Sequence, residues 1–453
     1  MAHEVRRAVA DMAEGLRDAA GGARRLVLLA MRNDIPSVLG YLAALEAGLP
    51  IALIHTSPKV EHLEDLIARY RPAVLLGDTG DHSNYGPVKR LALSLDQNLA
   101  IEIRTRLDDM GAVAHDALAV LLSTSGSTGS PRFVRLSRSA VVANAEQIAS
   151  ALTIDARECA PTTLPLHYSF GLSVLNSHLV AGARILVTNA PILSEELWAQ
   201  IRTFGCTSFA GVPYSYEVLR RLDLEALAGP SLQTMTQAGG RLTPAKIQEF
   251  HDRMVRRGGQ FIVMYGQTEA TARIAVLPSA LIPAKLGSCG RALPGGSLTI
   301  EDEAGHEVPA GTEGEVIFRG PNVMMGYAES ADDLMRGDEV GGRLATGDLG
   351  FLDHDGYLFV TGRRKRIAKV LGFRISLDEV ETLLAPHGRV AVIGRDERIV
   401  VFCEGWTAAM RLDQRASLAR AIGLHPTTIE FREVENLPLL LTGKIDYQRL
   451  ERL

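Results

Sequence analysis

The chain has 453 residues, 46% of them apolar and 22% charged, which excludes a disordered polyelectrolyte and leaves room for at least two domains with substantial cores. Its 48 Lys and Arg against 53 Asp and Glu leave a formal charge of -5, which carries no electrostatic footprint for nucleic acid or an anionic membrane. The four cysteines, Cys159, Cys206, Cys289 and Cys403, are far apart in sequence, which argues against a disulfide scaffold or a zinc motif and for reduced, partly buried thiols.

The first twenty residues alternate charged and apolar side chains at helical spacing and lack the apolar core of a signal peptide. No apolar run reaches membrane-spanning length, so a cytoplasmic enzyme without membrane insertion is expected. Compact apolar runs at residues 26–31, 51–54 and 72–76 alternate with helical patterns at 37–47 and 60–69, predicting an α/β region with covered sheets. The pattern resumes with a helix over 140–152, strands over 183–187 and 208–210, a helix opened by Thr243 and Pro244, and a strand over 261–264. Beyond residue 285, Gly and Pro punctuate short strands at 297–300 and 315–319, and a strand-turn-strand unit at 349–360 turns at Asp355-Gly356, predicting a small β-rich subdomain. In the last section Ser376 and Glu379 open a helix over 377–384, followed by paired strands at 390–393 and 399–403.

Residues 123–131, Ser-Thr-Ser-Gly-Ser-Thr-Gly-Ser-Pro, form the strongest local signal for chemistry. Small residues let the backbone approach a bulky anion while amides and hydroxyls donate to it, and Arg132 adds positive charge. The Lys-Ser/Thr pair of nucleotide hydrolases is missing and residues 133–136 read as extended, so the segment taken alone is either a phosphate loop or a plain surface turn.

Together with four further motifs in order, this loop resembles the AMP-forming acyl-CoA synthetase, luciferase and peptide-synthetase adenylation superfamily over nearly the whole chain. The resemblance implies that Ser125, Gly126, Ser127, Thr128 and Gly129, with Arg132 where the family usually has Lys, hold the β- and γ-phosphates of ATP. It implies that Tyr265 stacks on adenine beside Gly266, that Thr268 contacts phosphate and that Glu269 binds Mg2+. Ala238-Gly239-Gly240 matches the wall of the adenine pocket, although a Gly-Gly turn alone says little. Asp348, in Thr346-Gly347-Asp348, would grip the ribose diol with help from Arg363, and Lys444, in Leu441-Thr442-Gly443-Lys444, would offset the repulsion between carboxylate and α-phosphate. Read without the family, Glu269 is an acidic turn, Asp348 a turn-former, and Arg363 and Lys444 solvated charges. The cluster Arg363, Arg364, Lys365, Arg366 and Lys369 is either a solvated face or the lining of an anion site.

The implied fold is α/β. A large N-terminal domain, residues 1–364, has layered α/β subdomains and a small β-rich subdomain, and a small mobile C-terminal α+β lid, residues 365–453, hinges at Lys365. The implied reaction is attack of a carboxylate on ATP to give acyl-AMP and pyrophosphate, then transfer to a thiol, with Gly372 leaving space for a pantetheine arm. CoA is the leading acceptor, a carrier-protein phosphopantetheine the alternative, and a nucleotide-binding relative without catalysis the reading outside enzymology. The trimmed length and Leu377, where many relatives have Pro, bear on the acceptor. His167, Tyr168, Ser169, Phe170 and Gly171, with Tyr214 and Met264, are the expected acid pocket, His167 being either a gating residue or a core histidine. No Asp or Glu lies within residues 165–178 to hold an ammonium, which disfavours an α-amino acid and points to an aliphatic or aromatic acid.

Overall fold

The computed structural model describes residues 2–55, 60–80, 82–93, 96–109, 111–123, 132–370, 373–440 and 443–453. The chain divides into two compact units, one of Met1–Ser279, Ala292–Gly296 and Arg319–Leu344, the other of Ala280–Arg291, Ser297–Phe318 and Ala345–Leu453. The architecture is α/β throughout, a large layered unit and a smaller α+β one.

The first unit is built on an eight-stranded sheet. Its middle strands Val27–Met31, Ile51–His55, Val74–Leu76 and Leu118–Ser123 are parallel, as their uninterrupted apolar sequences require of strands covered on both faces. Between the first two runs the helix Ile35–Glu46 opens where Asp34 Oδ1 accepts from Ser37 N at 2.9 Å. It stops before Gly48, whose φ of +72° continues no helix. Leu28, Ala52, Leu75 and Leu121 bury one face of the sheet with Leu66 and Tyr70 of the helix Val60–Tyr70.

At one edge, Phe133–Ser137 pairs antiparallel with both Leu118–Ser123 and Gly326–Ala328. Arg135 holds that edge. Its fully buried guanidinium donates to the carbonyls of Tyr327 (3.1 Å), Met325 (3.1 Å), Arg336 (2.6 Å) and Gly337 (3.2 Å) and pairs with Glu339.

A second sheet in the same unit runs Ser208–Gly211, Thr234–Gln237, Gln260–Tyr265 in parallel, then Ala275–Leu277 antiparallel. The helices Arg138–Ala151 and Ser169–Val180 pack on each other, and Ile148 and Phe170 join Ala210, Ile262 and Met264 in one core. The helix Pro244–Arg256 has Pro at its first position as expected, but Thr243 occupies the cap position without a side-chain hydrogen bond. Cys159 and Cys206, 47 residues apart, lie with their sulfurs 3.6 Å apart, a proximity that their sequence spacing conceals. All four cysteines are free thiols.

The second unit contains the four-stranded sheet of Ser297–Glu301, Gly314–Arg319, Arg343–Leu352 and Leu358–Arg363. The connection between its last two strands is wider than an Asp-Gly turn. Asp353 Oδ1 accepts from Asp355 N (3.0 Å) and Tyr357 N (2.8 Å), and Gly356 takes φ +77°. After the helix Leu377–Leu384, capped by Ser376, come the strands Val390–Arg395 and Arg398–Glu404, paired antiparallel, with Ile429–Val434 parallel to the second. Val380, Leu384, Val401, Trp406 and Phe431 form a core belonging to this unit alone. Among the described residues no helix is long and apolar enough to cross a membrane.

Candidate active site

The buried strand Gln260–Tyr265 ends at Gly266, and the chain folds back so that Ile274 N donates to Tyr265 O at 2.8 Å. A Cβ on Gly266 would lie 1.8 Å from the carbonyl oxygen of Ala272, so close backbone approach alone demands glycine there. The returning turn contains the 3-10 segment Thr268–Ala270 and a left-handed Thr271 at φ +62°. Asn322 braces it by donating to the carbonyls of Ala270 (2.8 Å) and Arg273 (2.9 Å).

This turn presents two of the expected residues. Thr268 Oγ1 donates to Ser169 Oγ at 3.1 Å, tying the turn to the start of the helix Ser169–Val180. Glu269 Oε1 accepts from Tyr327 OH at 2.9 Å, and no basic side chain pairs with Glu269 among the described residues. Burial, and then the neighbouring Glu269 carboxylate, push the Tyr327 phenol up, so it stays a donor. On the other face of that ring lies the Arg132 guanidinium, 3.8 Å from the centroid. Arg132 Nε and Gln267 Nε2 are buried without a hydrogen-bond partner among the described residues. The loop containing Ser125, Gly126, Ser127, Thr128 and Gly129 lies outside the described residues, as does Gly372.

Gly239 and Gly240 follow the strand Thr234–Gln237. Gly239 has φ +80°, and a Cβ there would sit 2.5 Å from Tyr168 OH, so this turn packs against the segment leading into the helix Ser169–Val180. His167, in that segment, stacks edge-on against His55 with ring centroids 5.1 Å apart. Burial first, and His55 second, push it down to about 4, so it is neutral at physiological pH. Of the expected acid-pocket walls, Phe170 and Met264 line a cavity of about 50 Å³ together with Ile148, Val174, Ala210 and Arg273. Tyr214 is 43% exposed.

The second unit holds the remaining predicted residues. Asp348 and Arg363 are cross-strand partners, with Arg363 Nε 3.2 Å from Asp348 Oδ1. Asp348 is buried, and Gly347 before it takes φ +73°. Lys444 lies in a tight reversal in which Leu440 N donates to Lys444 O at 2.7 Å and Gly443 takes φ +76°.

The donor set fits a magnesium ion. Among the described residues no three His, Cys, Asp or Glu gather as a metal cage. Mg2+ needs none, because it keeps waters and takes one or two carboxylates beside substrate phosphates, which Glu269 can provide. The buried donors on Arg132 and Gln267, unpartnered among the described residues, fit phosphate oxygens.

Two residues of this region escape sequence reasoning. Tyr327 is 58 residues beyond Glu269 and is brought to it by the sheet edge that Arg135 secures and by the bond from Met324 N to Glu269 O at 2.8 Å. Arg273 stands in the otherwise apolar stretch Ala272-Arg273-Ile274-Ala275-Val276, where a lone charge is a usable signal.

A family profile described as AMP-binding enzyme matches residues 2–328. The indoleacetate–CoA ligase of Aromatoleum aromaticum is 34% identical over 298 residues, which cover 63% of this chain and 57% of that protein. The sulfoacetate–CoA ligase of Cupriavidus necator is 30% identical over 350 residues, covering 75% of this chain and 67% of that protein. The chain therefore spans little more than half the length of the first of these relatives. The structure of O-succinylbenzoate CoA synthetase (MenE) from Bacillus subtilis in complex with AMP superposes with a TM-score of 0.76 at 22% identity, over 97% of this chain and 91% of that one, a likeness of fold.

Proposed function

Because the chain belongs to the AMP-binding enzyme family, we propose that it is an ATP-dependent ligase that activates a carboxylic acid other than an α-amino acid as acyl-AMP, then transfers the acyl group to the thiol of CoA. The observation that carries this reading is the turn after Tyr265, which sets Glu269, a carboxylate without a basic partner among the described residues, beside the Tyr327–Arg132 stack. The cavity lining favours a non-amino acid, since the nearby Arg273 cation would repel an ammonium.

In this reading the substrate carboxylate attacks the α-phosphorus of ATP and pyrophosphate departs, so no protein nucleophile is needed and the residues act by position and charge. Ser125, Gly126, Ser127, Thr128 and Gly129 hold the outgoing phosphates, and Arg132 adds charge there. Tyr265 and Gly266, with the turn of Gly239 and Gly240, bound the adenine, and Asp348 accepts from both ribose hydroxyls with Arg363 steadying its carboxylate. Thr268 bonds a phosphate oxygen. Glu269 would hold the magnesium, whose charge offsets that of the departing pyrophosphate. Lys444 neutralises the approach of one anion to another. His167 remains uncharged and shapes the entrance to the acid pocket. Residues 365–453 act as a lid hinged at Lys365, and Gly372 leaves room for the pantetheine arm.

The test is pyrophosphate release with ATP and Mg2+ across a panel of carboxylic acids, hydroxylamine trapping the adenylate, with CoA in one arm only. Release for one class of acid, with acyl-CoA formed only in the CoA arm, is expected. Trapped adenylate without acyl-CoA would move the acceptor to a carrier protein, and no release with any acid would remove the ligase reading.

A further inference from the structure

Two arginines of the first unit are almost fully buried, and their surroundings differ. Arg135, at 0% exposure, meets four carbonyls and the Glu339 carboxylate. Arg273, at 2% exposure, makes one side-chain hydrogen bond among the described residues, from Nη2 to Ser173 Oγ at 3.1 Å. Its guanidinium lies 4.3 Å from the centroid of Phe170, and its Nε has no hydrogen-bond partner among the described residues. A buried cation held by one neutral hydroxyl and a ring face is an uncompensated charge, which costs several kcal/mol unless something anionic comes to it.

The guanidinium borders open space. Arg273 lines the cavity of about 50 Å³ in which Phe170, Met264, Val174 and Ile148 supply apolar walls and Ser173, Ser208 and Thr236 supply hydroxyls. That volume admits about four water-sized groups. Among the described lining residues Glu158 is the one carboxylate. It acts on His178, another lining residue, while burial pushes the Arg273 guanidinium down to about 10 against the weaker opposite effect of Tyr168. Burial lowers the His178 imidazole, outweighing the opposite effects of its Nδ1 bond to Val174 O at 2.8 Å and of Glu158.

We propose that Arg273 is the seat for a second carboxylate on the acid substrate, so that this chain takes a short dicarboxylic acid, one end activated and the other bound to the buried guanidinium. This rests on the ligase reading above and names its substrate class. A planar fork of donors matches a carboxylate, and the ion pair forms where water is excluded. The uncharged analogue of equal length would leave the guanidinium buried and unpaired, and discrimination against it follows.

The experiment compares pyrophosphate release for succinate and glutarate with that for butyrate and valerate, in the whole chain and in its Arg273→Met and Arg273→Lys variants, with titration calorimetry of glutarate as a second readout. Met removes the uncompensated charge at similar volume, and circular dichroism with a thermal scan confirms that the variant folds. Expected is a preference of about 100-fold in kcat/KM for a dicarboxylate. Arg273→Met should abolish it through KM, with the monocarboxylates unchanged or improved, and Arg273→Lys should restore part of it. Turnover of monocarboxylates at least as good as of dicarboxylates, unaffected by Arg273→Met, would overturn the seat and leave the ligase reading standing. Glutarate binding lost in Arg273→Met, with no pyrophosphate released by any acid, would uphold the seat and overturn the ligase reading. Absence of both glutarate binding and dicarboxylate turnover would overturn the seat.

Discussion

Glu269 receives its one described side-chain hydrogen bond from a phenol that burial keeps protonated. A neutral donor on one carboxylate oxygen fixes the carboxylate's orientation without cancelling its charge, which suits a group meant to meet a cation. Tyr327→Phe should therefore raise the Mg2+ concentration needed for half-maximal pyrophosphate release by about 10-fold, whereas Glu269→Gln should cost at least that factor in turnover at saturating Mg2+ as well. An unchanged Mg2+ profile in Tyr327→Phe would reduce the tyrosine to packing. His167 gives a second test at this scale. Its folded pKa of about 4 lies below the ordinary value of 6.5, so between those limits the unfolded chain binds more protons and stability falls as pH falls. The loss is at most about 3 kcal/mol, complete near pH 4 and absent above pH 7. His167→Gln should flatten the dependence of the urea midpoint on pH across this window, and an unaltered slope would place the acid sensitivity elsewhere.

Among elements, the edge strand Gly326–Ala328 shows how a residue far from the chemistry can govern it. Arg135 binds the carbonyl of Tyr327 and that of Met325 two residues before it, and removing it takes a charged donor from both. Arg135→Met is expected to destabilise the protein by about 3 kcal/mol. It should also lower turnover further than stability alone explains, because Tyr327 loses its placement. Chemical denaturation beside pyrophosphate release at 20 °C separates the two effects. The central strands and helices of this unit were legible because parallel strands covered on both faces must be apolar throughout, and the helix Ile35–Glu46 bears a cap and a glycine stop. Glu269 was legible through its motif. The Tyr327 contact was not, since the strand pairing of Tyr327 with Val134, 193 residues earlier, leaves no local periodicity. Gly266 was legible as a motif glycine, but the reason for it, the carbonyl of Ala272, belongs to the folded turn.

On the scale of the molecule, the proposed residues are divided between the two units, with Thr268, Glu269 and Arg273 in one and Asp348, Arg363 and Lys444 in the other. Each unit closes its own core, around Leu66, Leu75 and Leu121 in the first and around Val380, Leu384 and Val401 in the second. Separate cores let the units unfold separately, so a calorimetric scan should show two transitions, with a van't Hoff enthalpy below the calorimetric one. Leu384 is 1% exposed, and Leu384→Ala should cost about 2–5 kcal/mol. That loss should lower one transition by about 5–15 °C and leave the other in place. Leu66→Ala, in the first core, should do the reverse. If each substitution instead moved a single shared transition, the two cores would be one cooperative body.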